Sequence, residues 1–405
     1  MRRFTISLLC AAALACGSVG VGTATARAAE RDSVGRRPLL VFVLRFADSA
    51  ADAAWVGPWD RAFAVNRFFG PSESSVNGYL EGASGGAFSF VPAAESQGVA
   101  GDGIVEVDYP GSMSDFKNSQ RATLAAMRAT DELVDYTRFD TDGDQVLEPQ
   151  ELAIELVELV GDATRSPETG PVCCMESPDG IDGLGFAYDL NVAAVNATSN
   201  QMTTIHELFH QAFATIDGYA WDVGQLDIMG PTLGVAEDAR WLPNAVTRFQ
   251  LGWLRPTVVE SDAAPVLGLD DAVIVRDPSA SATQFFVVEY RHAGGLDRNA
   301  SASGVVLWRV VTSTPRRVEL ITPDVIASDT RVSGCENGCR RGSPTDAFAP
   351  NSNQPIALRY LAASPRYSAG AFSGMVLTPV SGDGGAAQIR VQFNTGEPTT
   401  VHAPA

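Results

Sequence analysis

Two histidines bracket a glutamate at His206-Glu207-Leu208-Phe209-His210. Residues four apart on a helix lie one turn apart on the same face, so both imidazoles of this HExxH pattern can reach one ion. Zinc takes neutral histidine nitrogen at ~2.0–2.1 Å, and its catalytic sites keep one of four positions for water. The metal brings the pKa of that water to about 7, and a neighbouring carboxylate takes its proton as the oxygen attacks a polarised carbonyl. Glu207 is the candidate base. Ile205, Leu208, Phe209, Ala212 and Phe213 would pack any amphipathic helix, but the whole chain has only four His and two of them fall here.

Such a site needs a third protein ligand. No His follows until His292, so the three-His metzincin pattern is absent. Asp217, in Ile216-Asp217-Gly218-Tyr219, is the first choice; Glu237 would suit a thermolysin-like arrangement, and Asp222 is a weaker candidate. Asp227-Ile228-Met229-Gly230 reads as a tight turn that places Met229 beneath the metal. The group that stabilises substrate opposite Glu207 is left open between Tyr188, Tyr219 and other residues.

A second set of ligands lies upstream. Asp140, Asp142, Asp144, Glu148 and Glu151 fall at positions 1, 3, 5, 9 and 12 of an EF-hand-like loop, with the Val146 carbonyl at position 7, so the loop is a candidate for Ca2+. Gln145 stands where such loops carry glycine, at a cost of about 1 kcal/mol if its φ is positive. The expected role is structural, since nothing in the loop supplies a proton acceptor near His206.

These residues need elements to carry them. Leu39 to Phe46 is an apolar, Val-rich run expected to form a buried strand. Helical spacing covers Trp59 to Phe69, the region of Val76 to Leu80, and Ser119 to Val134; Gly82 to Phe90 breaks the second helix and begins a strand. Leu152 to Val160 is a mostly apolar run, Gly161 to Asp182 reads as a loop rich in Gly, Pro and Asp, and Leu190 to Val195 as a strand. Asn196 to Asn200 offers caps for a helix from about Met202 to Phe213. After Pro256 the pattern turns to short alternating runs, Phe285 to Tyr290, Val305 to Val311 and Gln388 to Phe393, which point to a β-rich region.

Residues 1–29, with Arg2 and Arg3, an apolar run from Ile6 to Cys16 and small residues ending at Ala29, read as a signal peptide, so the expected location is extracellular or periplasmic. Cys16 as a lipid-anchor site and Arg2-Arg3 as a twin-arginine signal are minor alternatives. The apolar run falls short of the roughly 20 residues a spanning helix needs, so no stable membrane insertion is expected after processing. A net charge of −19 disfavours nucleic acid and anionic membranes and favours divalent cations. No Gly-rich phosphate loop opens a helix. Cys173, Cys174, Cys335 and Cys339 are expected to form two disulfides, with cross-links between the two pairs preferred over a local bridge.

Several segments together resemble the immune inhibitor A family of secreted bacterial zinc metallopeptidases, over nearly the whole chain after residue 29. They are Leu39 to Asp48, Phe68-Phe69-Gly70 with Ser75 to Tyr79 and Ser84 to Phe88, the Asp140 loop, HExxH, the Asp217 segment, Met229, Leu251-Gly252-Trp253-Leu254, and Val288 to Arg291 with Gly294 to Asp297. The resemblance implies that His206, His210 and Asp217 bind zinc, that Glu207 is the base and that Met229 is the turn methionine. Two positions depart from the family pattern, which places Gly three residues and Asp six residues after the second His. Here these are Phe213 and Ile216, with Asp217 one further, as a one-residue insertion would leave it.

The expectation is an α+β protein: a zincin-like metallopeptidase domain over residues 37–256, a β-rich C-terminal domain over 257–395 and a loose tail at 396–405. Its expected function is hydrolysis of internal peptide bonds in extracellular protein. The alternatives are a catalytically inactive, calcium-stabilised binding protein on the same fold and a zinc enzyme acting on small peptides or other bonds.

Overall fold

The structure, a computed structural model, describes residues 33–47, 59–116, 119–160, 168–175, 181–182, 184–196, 199–218, 223–232, 235–313, 317–321, 346–360 and 371–396. The protein is mixed α and β, and the described residues form few helices and three sheets.

The first sheet is built around β1 (Gly35–Phe46), flanked by β2 (Phe88–Pro92), β3 (Ile104–Tyr109), β4 (Val146–Leu147), β5 (Ala153–Glu158), β6 (Glu168–Met175) and β7 (Gly185–Asn196). The order is β2-β1-β5-β7-β4; β2 and β3 share one edge of β1 in succession, and β6 pairs with β7. Only the β6–β7 pair is antiparallel. The run Leu39-Leu40-Val41-Phe42-Val43-Leu44 is apolar without interruption because it is buried on both faces: Leu39, Val41 and Val43 face one core, and Leu40, Phe42 and Leu44 the other.

Helices α1 (Arg61–Phe69), α2 (Val76–Ala83) and α4 (Gln201–Phe213) contribute to the first core, and α3 (Ser119–Ala129) to the second. Two expectations are corrected. The helix expected over Ser119 to Val134 stops at Ala129, where the Thr130 hydroxyl bonds the carbonyls of Ala126 and Met127 and a 3-10 turn follows. The segment expected as a loop over Gly161 to Asp182 contains β6, because pairing with β7 satisfies a backbone whose Gly and Pro content suggested a loop.

After α5 (Ala245–Gln250) the chain is β-rich. A five-stranded sheet, in the order β13 (Arg317–Ile321), β12 (Gly304–Val311), β11 (Gln284–Arg291), β10 (Ala272–Val275), β8 (Thr257–Val259), packs on a four-stranded one, in the order β14 (Ile356–Tyr360), β15 (Ala371–Gly382), β16 (Ala386–Gln392), β9 (Val266–Gly268). Alternation divides the five-stranded sheet between two jobs. Val288, Val305 and Leu307 face the sandwich interior, while Val287, Val306, Trp308 and Val310 face Val223, Leu226, Ala245 and Val246 of the preceding segment. Among the described residues, no helix is long and apolar enough to cross a membrane.

Candidate metal centre

Helix α4 is fixed at both ends. The Asn200 side chain, from the cluster expected to cap it, accepts the Thr203 N–H at 3.0 Å, and its amide donates to the Thr232 carbonyl at 2.9 Å. At the other end Arg37 of β1 donates to the Ala212 carbonyl at 2.6 Å while its guanidinium lies over the rings of Phe88 and Phe213. Beside it, Gln211 bonds the strand β5 backbone. All thirteen residues of α4 are buried, so the helix runs through the interior with its histidines already desolvated.

The helix ends at Ala214, which has left-handed backbone angles (φ 50°, ψ 34°). Glycine is the residue that adopts this conformation without strain. From this reversal the chain returns past the histidines and brings Asp217 to them. Asp217 Oδ1 lies 3.2 Å from His206 Nε2 and 3.2 Å from His210 Nε2, and the two nitrogens are 3.2 Å apart. The reversal falls at 214, and the carboxylate that meets the histidines follows three residues later at 217. Ile216, just before it, is 57 % exposed.

The three atoms form an equilateral triangle. A tetrahedral ion with bonds of ~2.0–2.1 Å holds its ligands about 3.3–3.4 Å apart, so the donor set fits zinc. Tautomers agree with this. His206 Nδ1 lies 2.8 Å from the Ile228 carbonyl and His210 Nδ1 lies 2.8 Å from the Thr215 carbonyl. A carbonyl only accepts, so each Nδ1 carries the hydrogen and, in the neutral ring, each Nε2 presents a lone pair to the centre. With neutral rings the three atoms are all acceptors, a donor set that a cation would suit. For His210 burial lowers the pKa, but hydrogen bonds to Asp217 and Thr215 and the carboxylate charge outweigh it and raise the value. Burial likewise pushes Asp217 up, and its bonds to the two histidines more than reverse this, holding it well below the usual carboxylate range.

Glu207 is buried, and its carboxylate lies within 4.8 Å of the ligand atoms of His206 and His210. Beneath the site, the turn Asp227–Gly230 closes with a 3.0 Å bond from Gly230 N–H to the Asp227 carbonyl. A Cβ at Gly230 would lie 2.0 Å from the Gly224 carbonyl oxygen, so only glycine fits. The turn supplies the Ile228 carbonyl to His206 and the Met229 carbonyl to Gly218 N–H at 2.7 Å, while Met229 Sδ accepts the Thr215 hydroxyl at 3.3 Å.

The other candidates fall elsewhere. Glu237 forms a 2.6 Å ion pair with Arg67. Tyr188, Tyr219 and Asp222 lie outside the described side chains, as do Cys173, Cys174, Cys335 and Cys339. Asp140, Asp142 and Asp144 bring carboxylate oxygens within 4.8 Å of one another, and Glu151 Oε1 accepts the Thr141 N–H at 2.6 Å across the loop. Gln145 does have positive φ, at 67°, and Val146 begins β4 beside Gly185 of β7.

Two residues carry weight that their sequence positions did not advertise. Gln211 is a polar residue in the last turn of the helix, followed by Ala212 and Phe213 and fully inside the protein, and its place in that apolar run is the signal that could have drawn notice. Glu155 lies in β5 on the α4 face of the sheet, fully buried, with no hydrogen-bond partner for either carboxyl oxygen among the described residues. Its burial, and secondarily the charge of Glu207, push its pKa well above the ordinary value, against the pull of Arg67.

Comparison with known proteins finds no matching family model, no matching curated sequence and no matching solved structure.

Proposed function

We propose that the protein is a zinc-dependent metallopeptidase, secreted by way of residues 1–29, with a zincin-like catalytic unit of the immune inhibitor A kind. It hydrolyses peptide bonds in extracellular protein. The observation that carries this reading is the triangle of His206 Nε2, His210 Nε2 and Asp217 Oδ1, 3.2 Å on each side, next to a buried Glu207.

When bound there, zinc supplies Lewis acidity that polarises the scissile carbonyl and acidifies water. Glu207 accepts the proton of the attacking water and passes it to the departing amine. The Ile228 and Thr215 carbonyls hold the two rings in the tautomer that leaves Nε2 free for the metal. Asp217 is 48 % exposed whereas both histidines are nearly covered, so the open side of the site is the aspartate side. The acidic loop from Asp140 to Glu151 takes Ca2+ in a structural role, and Asp140, Asp142 and Asp144 already share one locus.

The test is made on residues 30–405, with bound zinc counted by elemental analysis and casein cleavage followed beside Glu207→Gln. One zinc in both proteins and cleavage only by the unsubstituted one is the expected result. Zinc in both with no cleavage by either favours the binding-protein or narrow-substrate reading, and absence of zinc sinks the metal assignment.

A further inference from the structure

The turn that frames the metal ligands is gripped from the β-rich half of the molecule. Arg291, the last residue of β11, is buried and donates from Nη1 to the Leu226 carbonyl at 3.1 Å and from Nη2 to the Leu242 carbonyl at 3.2 Å. Asp297 forms a two-point ion pair with the same guanidinium and accepts the Leu242 N–H at 2.8 Å. Glu289, 3.5 Å from Arg291 Nη1, also pairs with buried Arg248 at 3.2 Å, so two guanidinium groups face two carboxylates. Leu226 immediately precedes the turn whose next carbonyls hold the His206 ring and the backbone beside Asp217.

We infer that Arg291 and Asp297 are positioning residues of the metal centre, setting the placement of His206 and Asp217 through the Leu226 carbonyl. The inference rests on the zinc reading. Apolar contacts already join the two halves, with Leu226, Val223 and Ala245 packed against Ile274, Val287 and Trp308. Such contacts hold surfaces together but tolerate sliding. A guanidinium forked onto a carboxylate and two carbonyls is directional, and it fixes the backbone where the turn begins. The carbonyl that orients a ligating histidine governs affinity on the scale of about 10–100-fold. Metal affinity therefore depends on a residue of the β-rich sheet that lies outside the metal ligand set and touches none of the three ligands by any bond described above.

The experiment uses the full chain and its Arg291→Lys variant, which keeps the charge and loses the fork. Zinc affinity is measured by competition with a chromophoric chelator, and the visible spectrum of the cobalt-substituted protein reports ligand geometry. Arg309→Lys is the control: it disrupts the buried Arg309–Glu319 pair of the same sheet, whose described partners lie in that sheet and in β14. The expected result is a 10–100-fold loss of zinc affinity with an altered cobalt spectrum for Arg291→Lys, and neither change for Arg309→Lys. If Arg291→Lys does not fold, Asp297→Asn replaces it in the same measurement. Unchanged affinity and spectrum in a folded variant overturn the inference, as do equal losses in the control. Failure of the unsubstituted chain to bind zinc overturns the zinc reading beneath it and is seen before any variant is compared.

Discussion

Gln211, one residue past the second metal-site histidine, grips the backbone of Ile154 at two points: its Oε1 accepts the Ile154 N–H at 2.8 Å and its Nε2 donates to the Ile154 carbonyl at 2.6 Å. The side chain thus substitutes for a neighbouring strand at that point of β5, and it ties the height of α4 to the centre of the sheet. Both backbone groups are buried and lose their partner if the amide is removed. Gln211→Leu is expected to cost about 2–4 kcal/mol in urea unfolding, with each unsatisfied group contributing ~1–3 kcal/mol. Gln211→Glu should be nearly as damaging, because it can accept but, when ionised, cannot donate.

The ligand triangle makes Asp217 and Glu237 distinguishable. Asp217→Ala should weaken zinc by more than about 100-fold, beyond the ~10–100-fold typical of a lost outer partner, whereas Glu237→Ala should leave zinc affinity unchanged. Equilibrium competition with a chelator reads both. Equal effects of the two substitutions would contradict the geometry.

Ala214 carries strain that glycine lacks. A left-handed L-residue costs ~1–2 kcal/mol, and the greater freedom of glycine in the unfolded chain returns ~0.4–1 kcal/mol of this. Ala214→Gly should therefore stabilise the protein by up to about 1 kcal/mol, and Ala214→Val should destabilise it. Thermal unfolding of the metal-free forms decides the sign.

Glu155 gives a pH signature. Its folded pKa is raised above the ordinary value of 4.5, through burial first and Glu207 second. The folded state then binds the proton more tightly than the unfolded state. Its stabilising contribution is complete below pH 4.5 and is lost as pH rises toward the folded pKa. Asp227, raised to about 6 mainly by burial, acts in the same direction. Unfolding free energy of Glu155→Gln should fall less steeply as pH rises above 4.5 than that of the unsubstituted protein. Parallel curves would show that Glu155 does not titrate in that range.

Periodicity made the elements around the site legible. The unbroken apolar run of β1, the helical face from Met202 to Phe213 and the alternating strands after Pro256 all announce themselves through side-chain type. Asp217 stood out as the next carboxylate after the histidines, and its approach to them within 3.2 Å depends on the left-handed turn at Ala214, a backbone fact that residue types do not encode. The Ile228 and Thr215 carbonyls were invisible for the same reason, since any residue can present a carbonyl. β6 was hidden because strand pairing overrode a local composition of Gly and Pro, and the helix at Ser119 ran short because Thr130 spent its hydroxyl on the preceding turn.

One tie spans the first half of the molecule. The Ser33 hydroxyl donates to the Leu251 carbonyl at 2.7 Å and Trp253 Nε1 donates to the Ser33 carbonyl at 2.6 Å, across 218 and 220 residues. Contacts of such long separation carry the largest loop-closure cost and form late. The three residues of the proposed metal site, by contrast, lie within a short local segment, and Trp253 packs on Phe209 and Phe213 of the helix that carries two of them. Order is thereby built into the topology: a chain truncated before Trp253 holds His206, His210 and Asp217 but lacks the ring packing against the far end of the histidines' helix.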